Sequence, residues 1–367
     1  MISGGTWPTV DQGKVYKIFS VLIQSYFVVF VFTISLKCIM LMKVLDTSAR
    51  ANVFTFILEY WLTLWKVGVL KKQPIMDMMR EIAVLEKDLQ RRNDPKLMEI
   101  YKKYSVYNFK IGLILPLTTG FCALCMSGVF IVQWDIFKGD KMFVIPQQLP
   151  YKDHFYDFYY WNQLFCGMLG AIYIVCVDAL IVSLIIFTTL RMKLLGQNLQ
   201  MLFRDKNMNQ AENNKHLRML IMEHQNIIDH VVELNDNFKL LFFVDFSIKS
   251  YQLCLAMFNL LEVAGVPLMW AIFNTSESFL LLLQSVVIYS QSNDIIVESQ
   301  ELATSIYMVN WSGQPVSITR SLAIMMIRAQ RALKLESYGI VILSSDLLQK
   351  VVKAGYTYIV LSLQNKK

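Results

Sequence analysis

Residues 344–364 read SSDLLQKVVKAGYTYIVLSLQ. From Ser345 to Gln364 the run is long enough to cross a bilayer, which takes about 20 residues, yet it is too polar to face lipid. Its polar positions Asp346, Lys350, Lys353, Thr357 and Gln364 fall at steps of 4, 3, 4 and 7. Those steps place them along one face of a helix. A spanning helix with a continuous wet stripe needs water or protein on that side. The stretch therefore predicts one wall of a water-filled path, and a channel is the first functional class it suggests.

The rest of the chain supplies the membrane setting. Of its 367 residues 55% are hydrophobic and only 17% charged, against about 25% charged in soluble domains. Apolar runs predict six further spans at 18–42, 49–70, 109–132, 159–190, 240–261 and 266–289, with the seventh at 345–364. The fourth run exceeds what a bilayer requires, so its helix is expected to continue beyond the membrane. A net charge of +7 would suggest nucleic acid in a soluble protein; here it fits basic loops. All six cysteines lie in apolar segments, placed neither as a disulfide frame nor as a zinc site. The run from Ile18 is too long for a signal peptide and has no small-residue cleavage site, so the first span is expected to act as its own insertion signal.

Segments 1–17, 71–108, 190–239 and 290–344 hold 22 Lys and Arg, against 6 in 43–48, 133–158, 262–265 and 365–367. This bias predicts a cytoplasmic N-terminus and, with seven spans, an extracellular C-terminus. Of the two glycosylation sequons, Asn274-Thr275-Ser276 then falls near an outer span end and Asn310-Trp311-Ser312 inside.

The cytoplasmic segments have helical character. Ile75, Met78, Met79, Ile82 and Leu85 repeat at helical spacing among Glu and Lys, and 191–239 has the same pattern. A helical bundle is expected there. His216, His224 and His230 lack the i, i+4 spacing of a metal pair and are read as solvated or bundle-lining. In 314–337, Pro315 and Ser317 suit a helix start, with Leu322, Met325, Met326 and Ala329 as the apolar face and Arg320, Arg328 and Arg331 on a more polar side. That helix could lie on the membrane or pack between subunits, and the lack of a dense basic cluster favours protein contact.

The C-terminal third carries a resemblance. Residues 298–307, Trp311, IMMIRAQRALKLESYG at 324–339, ILSSDLL at 342–348 and AGYTYIVLSLQ at 354–364 resemble the insect odorant receptors. Thr357-Tyr358, five residues, then Gln364 matches a signature shared with the gustatory receptors, whose following Phe is Asn365 here. The resemblance implies an all-α membrane protein with seven transmembrane helices, a cytoplasmic anchor bundle and a last helix lining a tetrameric pore. It implies a ligand-gated cation channel in the plasma membrane of olfactory sensory neurons. The partner implied is a co-receptor subunit in a heterotetramer. The short 191–239 segment marks an odour-tuned subunit, not the co-receptor. Pore and gate positions carried over from the motif are Thr357, Tyr358, Leu361, Gln364 and Asn365, with Leu361 as the constriction; Lys366 and Lys367 would stand at the outer mouth. Leu361 lies on the stripe read from spacing alone, and a ring of such side chains closes a pore by dewetting. Assembly contacts are expected at Arg320, Met325, Arg328 and Gln330. Two regions follow: 1–313 with six spans and the odour pocket, and 314–367 with the anchor helix and pore helix.

By the same resemblance the pocket lies in the outer halves of spans two, three, four and six. Those offer Phe56, Glu59, Tyr60, Met126, Phe130, Tyr160, Met168, Trp270 and Phe273. Aromatic and Met side chains suit small apolar volatiles, although any membrane bundle is rich in them. Glu59, Asp178, Asp245 and Glu277 are acidic groups in or at the ends of spans, where charge is costly. Glu59 is read as a pocket or coupling residue and Asp178 as a structural ion pair, while Lys66 is expected to snorkel. The loop 134–157, rich in Tyr and Phe, is read as an aromatic belt or a cap over the pocket.

Other classes fit less well. A G-protein-coupled receptor requires the opposite termini and DRY or NPxxY motifs, which are absent. A transporter predicts two related halves, and no internal repeat is visible. No nucleophile–base pair, metal cluster or phosphate loop suggests an enzyme, and no cofactor is expected.

Overall fold

The computed structural model describes residues 14–41, 47–92, 94–132, 134, 138, 154–203, 210–261 and 268–365. These form nine helices: α1 Lys14–Leu41, α2 Thr47–Leu70, α3 Gln73–Arg92, α4 Pro95–Val132, α5 Tyr156–Met201, α6 Gln210–Leu261, α7 Leu268–Tyr307, α8 Val316–Ala329 and α9 Ser345–Asn365. A two-stranded antiparallel hairpin, β1 Glu336–Ser337 and β2 Val341–Ile342, precedes α9. Seven helices contain the apolar runs; α3 and α8 are the amphipathic exceptions.

Four spans are longer than a bilayer. At 1.5 Å per residue the 52-residue α6 is about 78 Å long, more than twice the hydrocarbon thickness of about 30 Å. The ends of α4, α5, α6 and α7 project together and, with α3 and α8, make a helical bundle beyond the spans. Helix α5 is apolar on every side, so it can bury all its faces. It sits at the centre, packed on α4, α6 and α7. Helix α4 instead leaves Phe109, Leu117, Leu124 and Ile131 open at 70, 62, 68 and 62% exposure. Their seven- and eight-residue spacing draws one apolar stripe that only lipid or another protein can cover.

One hydrophobic cluster runs from the spans into the bundle, joining Val67, Ile185, Phe238, Ile295, Leu322 and Val341. Charged groups frame it. Arg191, nearly buried on α5, holds Glu81 and Glu223 at 2.9 Å each, and Lys193 holds Glu298 and Glu301 at 3.1 and 2.9 Å. His224 and His230 are both buried in the bundle, His230 lying 3.5 Å from Glu81. The hydrogen bond from His230, with help from Arg191, holds the Glu81 carboxyl below its ordinary range.

Helix α8 follows Pro315, and its apolar face is set by the chain itself. Ile318, Leu322, Met325 and Ala329 are buried against the main cluster, on α6 and α7. This corrects the sequence expectation that the face would lie on the membrane or between subunits. Met325, at 4% exposure, is covered by this chain's own main cluster. Arg320 and Gln330 are exposed, and Arg328 is half-buried with Nη1 donating to the Arg331 carbonyl at 3.3 Å.

The quoted motif residues shape the link to α9. Tyr338 and Gly339 have φ of 51° and 68°, two positive values in the three-residue connection 338–340 between the paired Ser337 and Val341. Ile340 N–H closes the turn on the Ser337 carbonyl at 3.0 Å. Asn235 of α6 anchors the hairpin, donating to the Lys334 carbonyl at 2.9 Å and accepting from Glu336 N–H at 3.1 Å.

His224 gives a pH prediction. Burial, and then the charge of Arg328, push its imidazole down to about 4, while an unfolded histidine titrates near 6.5. Below that value the unfolded chain binds a proton that the folded chain refuses, so stability falls as pH drops from about 6.5 to about 4. The thermal midpoint of detergent-solubilised protein should decline over that window, and the decline should flatten in His224→Gln. An equal decline in both proteins would remove His224 from the account.

Candidate functional site

A cavity of about 130 Å³ lies within the spans. Each helix presents one face to it. Phe56, Glu59 and Tyr60 come from α2, at the i, i+3, i+4 spacing of a single face. Thr119, Cys122, Ala123, Met126 and Phe130 do the same on α4, and Gln163, Leu164, Gly167, Met168, Ala171 and Ile174 on α5. Phe273, Glu277, Leu280, Leu281 and Gln284 line it from α7, and Gln252 reaches in from α6. The volume approaches the ~150 Å³ of an engineered apolar cavity that holds benzene. The wall is mostly apolar, with polar groups gathered on one part of it.

Gln252 Nε2 donates to Glu59 Oε2 at 3.0 Å. Its own Oε1 and the Thr119 hydroxyl oxygen are buried without a hydrogen-bond partner among the described residues. Close by stands a quartet of buried charges. Lys66 reaches Asp178 at 2.9 Å and Asp245 at 2.5 Å, while Lys249 lies 3.6 and 3.5 Å from the same two carboxylates. Two cations and two anions, all 5% exposed or less, make a neutral set. Asp178 is the ion-pair residue expected from sequence. Lys66 does not snorkel: two carboxylates on α5 and α6 hold its ammonium inside, which costs less than leaving them unpaired.

Of the pocket residues expected from sequence, Phe56, Glu59, Tyr60, Met126, Phe130, Met168 and Phe273 line this cavity. Tyr160 does not. It is fully buried behind Phe130, its ring 5.2 Å from that ring and its hydroxyl donating to the Phe130 carbonyl at 2.8 Å. The side chain of Trp270 lies outside the described ones. Sequence reasoning missed Gln252, since span five was not among the four expected to contribute. It also missed Thr119, Gln163 and Gln284, each of which continues a helical face from a residue already named. Gly170 stands just behind the wall; a Cβ there would sit 2.7 Å from Tyr60 Cε1, so glycine lets the Tyr60 ring pack against α5.

Helix α9 packs on α6 and α7, both of which line the cavity. Leu347 and Leu348 turn to the main cluster, while Lys353, Thr357 and Gln364 of the polar stripe are exposed. Asp346 and Lys350 pair at 2.7 Å on the open surface, and Thr357 Oγ1 donates to the Lys353 carbonyl at 2.9 Å. The side chains of Tyr358, Leu361 and Asn365 lie outside the described ones. Most of the loop 134–157 is also outside them; Trp134 packs its ring 4.6 Å from Tyr160.

Comparison with known proteins settles the family. The family model described as 7tm Odorant receptor matches residues 66–356. This chain belongs to that odorant receptor family. Among curated relatives, the receptor is 24% identical over 346 residues to Odorant receptor 10 of Aedes albopictus, covering 93% of this chain and 83% of that one. It is 20% identical to Odorant receptor 30a of Drosophila melanogaster, over 75% and 72% of the two chains. Its fold matches the insect olfactory receptor OR5 of Machilis hrabei with a TM-score of 0.79 at 11% identity, covering 98% of this chain and 94% of that chain. The same receptor in complex with eugenol matches at 0.78. The receptor is thus a membrane protein with the seven-helix insect olfactory receptor fold.

Proposed function

We propose that the receptor is the odorant-binding subunit of a ligand-gated, non-selective cation channel, assembled with the odorant receptor co-receptor in a heterotetramer. Its place is the plasma membrane of olfactory sensory neurons, with the helical bundle and N-terminus in the cytosol and the end of α9 outside. The observation that carries this reading is a mainly apolar cavity whose walls include the two helices on which α9 packs. A volatile filling that cavity pushes on α6 and α7. Movement of either helix displaces α9 and draws Leu361 from the pore axis. Thr357, Gln364 and Asn365 then line the wet path, with Tyr358 beside it. Arg320, Arg328 and Gln330 are the groups at α8 open to assembly contacts.

Whole-cell current with and without the co-receptor, under a broad odorant panel and G-protein block, tests this. Odour-evoked cation current only with the co-receptor is expected. Current from this chain alone would mean a homomeric channel of the gustatory type, and a response abolished by G-protein block would mean a coupled receptor. Leu361→Ala shortens the constriction and should raise the resting cation current several-fold, because a wider ring no longer dewets. Resting and evoked currents both unchanged would remove Leu361 as the gate.

A further inference from the structure

The polar groups around the cavity are unevenly matched. Two carboxylates line it, Glu59 from α2 and Glu277 from α7. Glu59 accepts one hydrogen bond from Gln252. Glu277, half-buried, has neither a hydrogen bond nor an ion pair among the described residues. Two more polar groups in the wall lack a hydrogen-bond partner among the described residues: the Gln252 Oε1 acceptor and the Thr119 hydroxyl, which can donate or accept, in residues only 4 and 5% exposed. The nearby cations Lys66 and Lys249 contact Asp178 and Asp245 and do not line the cavity; they act on Glu59 at longer range and leave Glu277 without a cation beside it. The amides of Gln163 and Gln284 both donate and accept, so they leave the balance unchanged. Among the described residues the wall therefore carries two carboxyl groups and no cation.

A guest that suits such a wall brings positive charge and donors. A carboxyl group without a partner in an apolar setting either stays neutral or needs a cation beside it, and an amine that takes its proton becomes that cation. We propose that this cavity takes a small volatile amine, bound as its ammonium with the nitrogen on Glu277 and the hydrocarbon body against Phe56, Met126, Met168 and Phe273. The proposal rests on the odorant-site reading above. An ammonium offers up to three donors and no acceptor, which suits a carboxylate at Glu277 and the unpartnered Gln252 Oε1. The faces of Phe56 and Phe273 add cation–π attraction where the charge is desolvated. An alcohol of the same skeleton brings one donor and no charge, and a ketone brings acceptors alone.

The test uses cyclohexylamine, cyclohexanol and cyclohexanone on cells expressing the full chain with the co-receptor, alongside a broad volatile panel. The amine should act at a concentration at least about tenfold below the alcohol and ketone, the difference that one charge-assisted hydrogen bond makes. Glu277→Gln, nearly the same shape, should cost the amine about tenfold or more and the alcohol under about threefold. An alcohol or ketone as potent as the amine in the unmodified receptor overturns the proposal, as does an equal shift of amine and alcohol in Glu277→Gln. Currents evoked by other volatiles but by no amine also overturn it while leaving the odorant-site reading intact. Surface-expressed receptor silent to every volatile overturns both.

Discussion

Lys66→Met is expected to remove most of the folded receptor from the cell surface. Methionine keeps an unbranched apolar stem only one atom shorter than lysine, so the effect is chiefly that of the charge. Lys66 makes the two shortest contacts in the buried quartet, to Asp178 and Asp245. Without it those carboxylates share Lys249 alone, at 3.6 and 3.5 Å. Breaking a buried pair so that a charge is left behind costs about 3–5 kcal/mol, against a total stability of about 5–15 kcal/mol for ordinary domains. The diagnostic is the second change. Lys66→Met combined with Asp178→Asn leaves a neutral Asp245–Lys249 pair and should recover a large part of the loss. Surface labelling and the thermal midpoint of the solubilised protein give the four corners of the cycle. If the double variant is no better than the single one, the charge count does not explain the loss, and Lys66 acts through packing.

The second large effect is expected at Gly167. It lines the cavity, and a Cβ built on it meets nothing within 4 Å. Gly167→Leu therefore starts a branched side chain in open space at the cavity wall. The helix itself gains, since Leu has a higher helix propensity than Gly by just under about 1 kcal/mol. With a cavity of about 130 Å³, little room remains for a guest. Odour-evoked current should fall by about tenfold or more while surface expression stays at or above that of the unmodified receptor. Retained responses at normal expression would mean that volatiles bind elsewhere. Loss of expression would mean that the space at Gly167 is already claimed when the receptor assembles.

Much of this architecture was legible in the chain because hydropathy and helical period are local properties. The runs at 109–132 and 240–261 announce spans, and the spacing of Ile75, Met78 and Ile82 announces α3. The same period placed Asp346, Lys350, Lys353 and Thr357 on one side of the last helix, and the motif around Thr357, Tyr358 and Gln364 pointed to the family. Within the cavity, the faces of α2 and α4 were partly readable: Met126 implies Cys122 and Thr119 one and two turns back.

Tertiary structure decided what depends on how the helices rotate and cross. Glu59 meets Gln252 across 193 residues of sequence, and nothing local distinguishes that glutamine from others in apolar helices. Lys66 looked free to snorkel until α5 and α6 brought Asp178 and Asp245 beside it, reversing the solvation argument. The face of α8 containing Met325 could serve membrane, partner or core, since all three reward apolar burial equally. The nearest apolar surface, on α6 and α7 of the same chain, took it. Sequence thus determined which segments cross the membrane and which face of each is polar. Packing decided which polar groups find one another, because pairing free energies fall steeply with distance and distance is set only when the helices dock.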